Sequence, residues 1–434
     1  MILAGIFGLR FVPGFYAAGE PLGWIDALFM ATSAVCVTGL ILVDTATHFT
    51  WAGQAFLLLL IQAGGIGMVT ITSLIILSLG RRISVRTESV VPHMPAAAPP
   101  VDARRLTRDI VLVTLILEAV GAAFLFAAFR PHFPMGEALW HAVFQAVSAF
   151  CNAGFSTFSN SLEGWQTTGL VLWPIMALIV IGGIGFLTLE ELQQRWQTRR
   201  QGKGFRLTLH SRLVLTATGV FLLGGWIAFL ALEWGGVLAP MSLGARAENA
   251  LFMSVTARTA GVNTVAYADA SDPTNFLTIL LMSVGGSPGS TAGGLKTTTF
   301  FVIGILAWSR IRGRPAVSAW SRSIPDETVQ RAVGVASVAF GTVALSVLLL
   351  SILETAGDTL EPFLAVMFEA VSAFNTVGLS LGITGDLEPL SRLLTTVLMF
   401  MGRIGPLSFA ALLALRSSHG GARYRFAHED VSIG

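Results

Sequence analysis

The chain has 434 residues, of which 53% are hydrophobic and only 12% are charged, and its mean hydropathy is +0.72. A soluble globular protein carries about 25% charged residues, so this composition excludes a soluble enzyme, a nucleic-acid-binding protein and a disordered scaffold. Two cysteines, Cys36 and Cys151, are too few for a disulfide framework and lack metal-ligand spacing. Many apolar runs approach the roughly 20 residues that cross a bilayer, which predicts an integral membrane protein.

Four stretches of the chain repeat one layout, and each carries a short motif that ends in a glycine. The motif glycines are Gly39, Gly154, Gly261 and Gly378. They are separated by 115, 107 and 117 residues, and a second glycine motif begins 24 to 28 residues after each. A pattern repeated at this spacing predicts four structural repeats. The predicted repeats cover residues 1–80, 81–192, 193–308 and 309–434.

The first outer helix is predicted to be truncated. Only about 15 residues are available before Pro21, fewer than the roughly 20 that a span needs. No basic segment precedes the apolar stretch, so a signal peptide is not indicated. We expect residues 1–11 to be the end of a span, either because the helix is short or because the start codon lies further upstream.

A short re-entrant helix is predicted before each motif glycine. Apolar runs of about 10–14 residues are too short to cross the membrane, which favours pore helices over full spans. These runs cover residues 22–35, 136–150, 244–257 and 362–374. A proline precedes each motif glycine by 16 to 21 residues, and we expect it in the first turn of the pore helix. These prolines are Pro21, Pro134, Pro240 and Pro362.

A long inner helix is predicted after each motif glycine, and the third one is interrupted. Residues 285–296 read Gly-Gly-Ser-Pro-Gly-Ser-Thr-Ala-Gly-Gly-Leu-Lys, and glycine and proline at this density break a helix. The other inner helices carry only Gly-Gly-Ile-Gly or Gly-Arg-Ile-Gly at this depth, so we expect a single break. The interruption would cross the pathway just below the motif glycines.

Isolated charges near the pathway are candidates for function. Arg403 replaces a glycine of the second motif, and a charge so deep in a membrane helix usually faces the interior. We predict that Arg403 is a positive barrier that donates hydrogen bonds to carbonyls of the interrupted segment. Lys296 lies at the same level, with snorkelling to the interface as its alternative. Arg258 precedes the third motif glycine and is expected to pair with an acid such as Glu248 or Glu369.

Positive charge is concentrated on one side of the predicted membrane. Of the 27 Lys and Arg residues, 20 lie in segments 80–109, 193–213 and 309–332 and in the C-terminal tail. The segments between them hold few cations and many acids. By the positive-inside rule, the basic segments and the C-terminus face the cytoplasm, which predicts a multi-pass protein of the inner (cytoplasmic) membrane. Because each basic segment lies between long apolar runs, nucleic-acid binding is not indicated.

Four re-entrant loops around one axis would line a central pathway, since irregular backbone at membrane depth must be buried or face water. Each pore helix would point its partly negative C-terminus at that axis, and glycine would let carbonyls turn inward. Carbonyl dipoles that replace a hydration shell select cations. No carboxylate stands at the glycine positions, which favours a monovalent over a divalent cation.

The motifs resemble those of the Trk/Ktr/HKT superfamily of potassium transporters, and in particular its channel-like Ktr-type membrane subunit. The most specific matches are residues 31–42, 256–264, 285–298 and 401–406. The resemblance implies an all-α integral membrane protein with four membrane–pore–membrane repeats around a pseudo-fourfold ion pore. It also implies that K⁺ is the substrate, with Na⁺ as a further possibility, without a covalent cofactor or an enzymatic activity. A glycine in all four repeats is similar to the potassium-selective pattern of the superfamily.

The resemblance further assigns the site residues. The filter would consist of Val37, Thr38, Gly39, Asn152, Ala153, Gly154, Thr259, Ala260, Gly261, Thr376, Val377 and Gly378. The gate would consist of Gly285, Gly286, Ser287, Gly289, Ser290, Thr291, Gly293, Gly294, Lys296 and Arg403. A homodimer in the lipid bilayer is implied, together with a cytoplasmic nucleotide-binding ring of the RCK type that moves the gate.

Two alternatives stay open at the sequence level. A Na⁺-coupled or Na⁺-permeable symporter of the same superfamily would share these motifs. Glu118, alone in an outer helix, is either a proton or sodium site or, more commonly for such a residue, a hydrogen-bonded structural group. Other coupled transporters usually have inverted repeats with broken helices in both halves, and an intramembrane hydrolase needs a catalytic pair that does not stand out in this sequence.

Overall fold

The computed structural model describes residues 1–17, 21–88, 103–202, 205–355 and 361–405, with the side chains of 75–88 and 103 left undescribed. Part of the predicted basic segments lies outside these residues, namely 89–102, Lys203 and the tail arginines Arg416, Arg423 and Arg425. In the described ranges the fold is helical, apart from one small hairpin and one isolated bridge between Tyr16 and Phe49. The predicted all-α membrane fold is confirmed.

Four units of similar construction follow one another. The first contains α1 (Ile2–Phe11), α2 (Trp24–Cys36), α3 (Thr45–His48) and α4 (Trp51–Glu88). The second contains α5 (Ala103–Phe129), α6 (Met135–Cys151), α7 (Gly169–Ile184) and α8 (Phe186–Arg200). The third contains α9 (Leu209–Glu233), α10 (Leu243–Thr256), α11 (Asp272–Met282) and α12 (Thr297–Ile311). The hairpin β1 (Ser318–Ala319) and β2 (Arg322–Ser323) leads to α13 (Asp326–Thr355), α14 (Phe363–Phe374) and α15 (Pro389–Ile404).

Four described helices are long and apolar enough to cross a membrane singly, and they belong to α4, α5, α9 and α13. The pair α7 and α8 passes the same test together but is bent by 101°. Helices α2, α6, α10 and α14 have only 12 to 17 residues each, as expected of pore helices. The outer helix α1 has 10 residues.

Packing between the units closes a ring. Each outer helix contacts the pore helix of its own unit, so α1 packs on α2, α5 on α6, α9 on α10 and α13 on α14. Each inner helix then packs on the next pore helix, so α4 contacts α6, α7 contacts α10, α11 contacts α14 and α15 contacts α2. An ion pair between Arg392 and Asp26, 2.8 Å long, joins the fourth unit to the first. The four units therefore form a closed ring of helix contacts.

The ring has a dense apolar interior, because every pore helix buries one phenylalanine nine or ten residues before its motif glycine. These side chains are Phe29, Phe144, Phe252 and Phe368, and all of them have an exposure of 0%. The four predicted prolines lie at the N-cap or within three residues before the first residue of the pore helix, not in its first turn. At those positions they end the preceding loop instead of starting the helix.

The expectation of a single helix break is wrong. The third inner helix is interrupted between α11 and α12 as predicted, but the second also breaks, at Gly185 between α7 and α8. Gly185 has a φ of 93°, and the following Phe186 N–H donates to the Gly289 carbonyl at 2.9 Å. The interrupted segment of the third unit therefore supplies the partner that the helix would otherwise provide. Gly67 in the first unit stays inside α4.

Candidate ion pathway

The four motif glycines meet in a ring. A Cβ atom built on Gly39 would lie 2.6 Å from the Gly154 Cα, and one built on Gly154 would lie 3.2 Å from the Gly261 Cα. The corresponding distance from Gly261 to the Gly378 Cα is 3.1 Å, and the ring closes at 3.0 Å between Gly378 and the Gly39 Cα. The structure therefore brings all four predicted motifs to one place, although they are more than 100 residues apart in sequence.

Backbone carbonyl oxygens border this ring. Those of Thr38, Ala153 and Val377 each lie against a motif glycine of another unit, and the Ala153 oxygen is 2.5 Å from the Cβ position of Gly39. Any side chain at these glycines would collide with that backbone. Backbone carbonyl oxygens that line a pore can replace part of the hydration shell of a cation.

In each predicted filter triplet, two residues have a positive φ, namely the first residue and the glycine. The φ values of the first residues run from 51° to 69°, and those of the glycines from 75° to 95°. Those first residues are Val37, Asn152, Thr259 and Thr376. The left-handed region costs a non-glycine residue about 1–2 kcal/mol, and valine and threonine are β-branched, so the surroundings must hold this conformation. Between them, the middle residues Thr38, Ala153, Ala260 and Val377 have at most 1% exposure.

Hydroxyl groups of the pore helices provide that support, and they are not among the site residues predicted from the sequence. Ser33 and Ser372 accept hydrogen bonds of 3.1 Å from the N–H of the motif glycine in their own units. Ser148 donates at 2.6 Å, and Thr256 also donates, to the carbonyl of the residue after the motif glycine. A signal was present, since each hydroxyl stands five or six residues before its glycine.

A cavity of about 340 Å³ lies on one side of the ring and is lined by all four motif glycines. Its wall also carries the carboxyl groups of Asp44 and Glu163, together with several hydroxyl and amide groups. Partial burial raises the pKa of Glu163, although the hydrogen bond from the Asn263 amide opposes this effect. Two carboxyl groups beside a narrow entrance raise the local cation concentration when they are ionised. We call this cavity the outer vestibule.

The interrupted segment 285–296 lies beside the predicted filter triplets and is largely buried, and none of its residues lines the outer vestibule. It is bonded to the second unit, because Ser287 and Thr291 donate from their N–H groups to the Gly183 and Gly182 carbonyls at 3.0 and 3.2 Å. It is bonded to the fourth unit through the Gly294 N–H, 3.1 Å from the Gly402 carbonyl. The segment therefore bridges inner helices of different units.

The same segment contacts the filter triplets directly. The Asn152 amide donates to the Thr291 hydroxyl at 3.2 Å, and a Cβ atom on Gly293 would collide with the Thr376 side chain. Within the segment, the Gly285 N–H donates to the Leu295 carbonyl at 2.8 Å, closing a loop. Gly286 accepts from the Thr297 N–H at 3.1 Å, Ser290 donates to the Ser287 carbonyl at 2.6 Å, and Gly289 accepts from Phe186. All of the predicted gate residues in 285–296 therefore lie in one hydrogen-bonded loop.

Arg403 reaches this loop from the fourth unit. Its guanidinium donates to the Thr291 carbonyl in the loop and to the Gly64 carbonyl of α4 at 3.0 Å. The side chain is only 6% exposed, and both partners are carbonyls, as the sequence predicted. Lys296 turns back to the loop and donates to the Ala292 carbonyl at 2.7 Å, which does not support its snorkelling alternative. A positive group therefore bonds the loop to the first unit.

The second glycine motif serves helix packing. Cβ atoms built on Gly64, Gly182 and Gly402 would collide with the carbonyls of Val35, Phe150 and Phe374, which lie near the C-terminal ends of the pore helices. In the third unit, Gly285 instead lies against the carbonyls of Gly293 and Leu295. These glycines let the inner helices approach the pore helices closely enough to support the filter.

The structure shows the surroundings of two isolated charged residues, Arg258 and Glu118. The predicted pairing of Arg258 with Glu248 or Glu369 is wrong, since no ion pair joins these described residues. Glu369 instead accepts a 2.6 Å hydrogen bond from the Thr384 hydroxyl. Glu118 accepts from the Gln62 amide at 2.8 Å and lies 3.8 Å from the Cys151 thiol, in agreement with a hydrogen-bonded structural group.

Comparison with known proteins identifies the family. The family model of TrkH, described as a cation transport protein, matches residues 11–419. The chain belongs to the TrkH family. It is 35% identical to the potassium/sodium uptake protein NtpJ of Enterococcus hirae, over 100% of this chain and 96% of that protein. It is also 35% identical to the Ktr system potassium uptake protein B of Vibrio alginolyticus, over 93% of this chain and 87% of that protein.

A solved structure agrees with the fold of this TrkH-family chain. The crystal structure of the potassium transporter TrkH from Vibrio parahaemolyticus aligns with a TM-score of 0.68, covering 91% of this chain and 79% of that one. Sequence identity in the alignment is 18%, so the comparison concerns the fold. The predicted Trk/Ktr-type membrane subunit is confirmed, and the chain belongs to a family of transporters, not enzymes.

Proposed function

We propose that this TrkH-family chain mediates K⁺ uptake through a channel-like pore whose filter has one glycine per repeat. The observation that carries the proposal is the closed ring of Gly39, Gly154, Gly261 and Gly378, bordered by backbone carbonyls. Carbonyl oxygens bind a partly dehydrated monovalent cation without the fixed negative charge that a divalent cation favours. The names of the relatives from E. hirae and V. alginolyticus, which specify potassium uptake, support K⁺ as the substrate.

In this proposal, K⁺ collects in the outer vestibule and passes the twelve filter residues of the four triplets. The carboxyl groups of Asp44 and Glu163 favour its entry by attraction. A membrane potential of 100 mV, negative inside, contributes about 2.3 kcal/mol per elementary charge, so uptake needs no chemical energy source within this chain.

The loop of residues 285–296 is the proposed gate, with Arg403 as its fastener. The loop lies across the pathway at the filter and is held by hydrogen bonds to the second and fourth units. The guanidinium adds a bond to the first unit and places positive charge where the ion leaves the filter. Conduction therefore requires the loop and Arg403 to separate.

The assembly around the pore is also a proposal. Four repeats, with the boundaries given by the sequence, form the pore within one subunit. The membrane is the cytoplasmic membrane, with the basic segments and the C-terminus on the cytoplasmic side. The subunit forms a homodimer and carries a nucleotide-binding ring of the RCK type that moves the gate loop.

A second candidate is a Na⁺-coupled or Na⁺-permeable transporter of the same family. It is favoured by one observation, namely that the relative from E. hirae is a potassium/sodium uptake protein by name. The two candidates differ in whether Na⁺ changes K⁺ uptake or crosses the pore itself.

The test is growth of a K⁺-uptake-deficient bacterium at low K⁺, combined with Rb⁺ and Na⁺ flux into liposomes that contain the purified protein. We expect growth to be restored without added Na⁺, and Rb⁺ to enter far faster than Na⁺. A requirement for Na⁺, or comparable entry of both ions, would favour the second candidate. Absence of rescue, with the protein present in the membrane, would contradict both.

A pair of glycine variants tests the filter assignment. Gly261→Ala should abolish selective flux, since its Cβ atom would lie 2.8 Å from the Gly154 Cα and its φ is 76°. Gly219→Ala is the matched control, because a Cβ atom at Gly219 on α9 meets nothing within 4 Å. Equal, normal selectivity in both variants would refute the filter assignment.

A further inference from the structure

A cationic cavity lies outside the pore, at the end of the second unit. It has a volume of about 550 Å³ and is formed by α8, residues 205–207, the first turns of α9 and the β1–β2 hairpin. Arg195, Arg206 and Arg212 line it together with Trp320 at the hairpin tip and Thr216. We call this cavity the arginine pocket. It shares no residue with the filter or the gate.

The positive charge of the arginine pocket is not neutralised within the part of the chain that the structure describes. None of the described ion pairs involves Arg195, Arg206 or Arg212. Glu191, one turn before Arg195, is engaged elsewhere and accepts hydrogen bonds from the Thr208 N–H and hydroxyl at 2.6 and 2.9 Å. It also accepts from the Ser211 hydroxyl. Three arginines that line one cavity without a lining carboxylate can bind an anion of several acceptor oxygens.

The pocket adjoins an exposed apolar stripe on a helix that is long and apolar enough to cross a membrane. Helix α9 is one of the described spans, and Arg212 lies in its first turn. From Thr216 the exposed side chains Val220, Leu223 and Ile227 continue along one face, with exposures of 54%, 56% and 63%. The 11 residues from Thr216 to Ile227 rise about 16 Å, close to half of the roughly 30 Å hydrocarbon core. The cationic site and the apolar stripe are therefore continuous.

Neighbouring elements indicate that the arginine pocket lies at membrane-interface depth. The 101° bend turns α8 away from the direction of α7, so that it runs across the spans instead of continuing them. Trp196 on α8 is 56% exposed, and the Arg200 guanidinium lies 3.6 Å from the centre of its ring. Exposed tryptophan next to arginine is typical of the headgroup region.

We propose that the arginine pocket binds the phosphate headgroup of an anionic phospholipid, with an acyl chain along the stripe of Val220, Leu223 and Ile227. The three arginines supply the donors for the phosphate oxygens, and Thr216 lies where the headgroup meets the glycerol backbone. A soluble phosphate would use the arginines but not the stripe, and an acidic protein would not need the pocket to open toward the bilayer. Basic pockets beside spans on the cytoplasmic side bind anionic lipid headgroups.

The test measures lipid binding to the purified full chain. Phosphatidylglycerol or phosphatidylcholine is added to detergent-solubilised protein, and bound lipid is counted by native mass spectrometry alongside the melting temperature. We expect the protein to retain phosphatidylglycerol preferentially and to melt at a higher temperature with it. The combined variant Arg195→Gln, Arg206→Gln and Arg212→Gln should weaken that affinity by about 100-fold, from the attraction of roughly 1 kcal/mol per arginine.

The control variant carries Arg310→Gln, Arg312→Gln and Arg314→Gln. It removes the same charge from a neighbouring basic segment that does not line the arginine pocket. Should the triple pocket variant fail to fold, Arg206→Gln alone should still weaken binding by about fivefold. Three results would each overturn the proposal. The pocket and control variants could lose the same affinity for phosphatidylglycerol, or the pocket variant could bind it as tightly as the native protein. Inorganic phosphate could also raise the melting temperature as much as phosphatidylglycerol does. None of these measurements depends on ion flux.

Discussion

Replacing Arg403 tests the proposed gate at its most specific contact. The guanidinium bridges the Thr291 carbonyl of the loop and the Gly64 carbonyl of α4, so displacement of the loop must break the first of these bonds. A hydrogen bond to a charged donor contributes about 1.5–3 kcal/mol. If the closed state is dominant, its loss raises the open population by about 10- to 150-fold. Arg403→Gln should therefore raise K⁺ flux in the absence of any partner.

A lysine variant separates the two roles of this residue. Arg403→Lys keeps the positive charge but presents a single ammonium, which cannot fork between two carbonyls as a guanidinium does. We expect its flux to lie between that of the native protein and that of Arg403→Gln. If the charge alone forms the barrier, the lysine variant will conduct as slowly as the native protein.

The assay is Rb⁺ uptake into liposomes at a fixed membrane potential, normalised to the amount of inserted protein. Val397→Ala is the control, because Val397 lies on the same helix, α15, with 51% exposure and away from the pathway. Size-exclusion chromatography and the melting temperature show whether each variant is folded. Unchanged or lower flux in folded Arg403→Gln, with normal flux in Val397→Ala, would refute the role of Arg403 as a fastener.

Three further substitutions probe the support around the filter. Ser372→Ala removes the hydroxyl that accepts a hydrogen bond from the N–H of the motif glycine. Because that bond contributes about 1 kcal/mol, the preference for Rb⁺ over Na⁺ in liposome flux should fall by several-fold. An unchanged preference would contradict this prediction. Gly402→Ala forces a Cβ atom into a pore-helix carbonyl and should lower the melting temperature clearly, whereas Gly341→Ala, which meets nothing within 4 Å, should not. Glu118→Ala leaves the Gln62 amide without its hydrogen-bond acceptor and should destabilise the protein by about 1–3 kcal/mol in melting experiments. The ion selectivity of the flux should be retained. Loss of flux without loss of stability would instead indicate an ion or proton site.

The ring of motif glycines was predictable because its cause is local and repeated. Each glycine stands at the end of a short apolar helix, and four copies at nearly constant spacing leave one arrangement that buries their irregular backbone. The break at residues 285–296 was predictable for a similar reason, since its composition cannot sustain a helix in any surroundings.

The partners of isolated charges could not be predicted, because they depend on distances across the fold. The repeat pattern offers Glu248 and Glu369 as partners for Arg258, but neither forms an ion pair with it among the described residues. Glu369 accepts a hydrogen bond from the Thr384 hydroxyl instead. Arg403 was more tractable, since carbonyls are the one kind of acceptor that is abundant at its depth. The sequence could therefore specify the chemistry of its partners but not that they are Thr291 and Gly64.

The break at Gly185 shows how identical motifs acquire different structures. Gly-Gly-Ile-Gly occurs at 64–67 and at 182–185, yet the first copy continues as α4 and the second turns with a φ of 93°. In the second unit, the N–H that follows the turn is bonded to the third unit, because Phe186 donates to the Gly289 carbonyl of the loop. Identical motifs therefore differ in the partners that other repeats supply.

This hydrogen bond joins two features that the sequence leaves separate. Because α8 begins at Phe186, its first N–H is bonded to the proposed gate loop, and nine residues later the same helix supplies Arg195 to the arginine pocket. The two points are about 13 Å apart along one continuous helix. A ligand that held Arg195 would therefore contact the same helix whose first N–H is bonded to Gly289, so α8 is the element that connects the pocket with the loop.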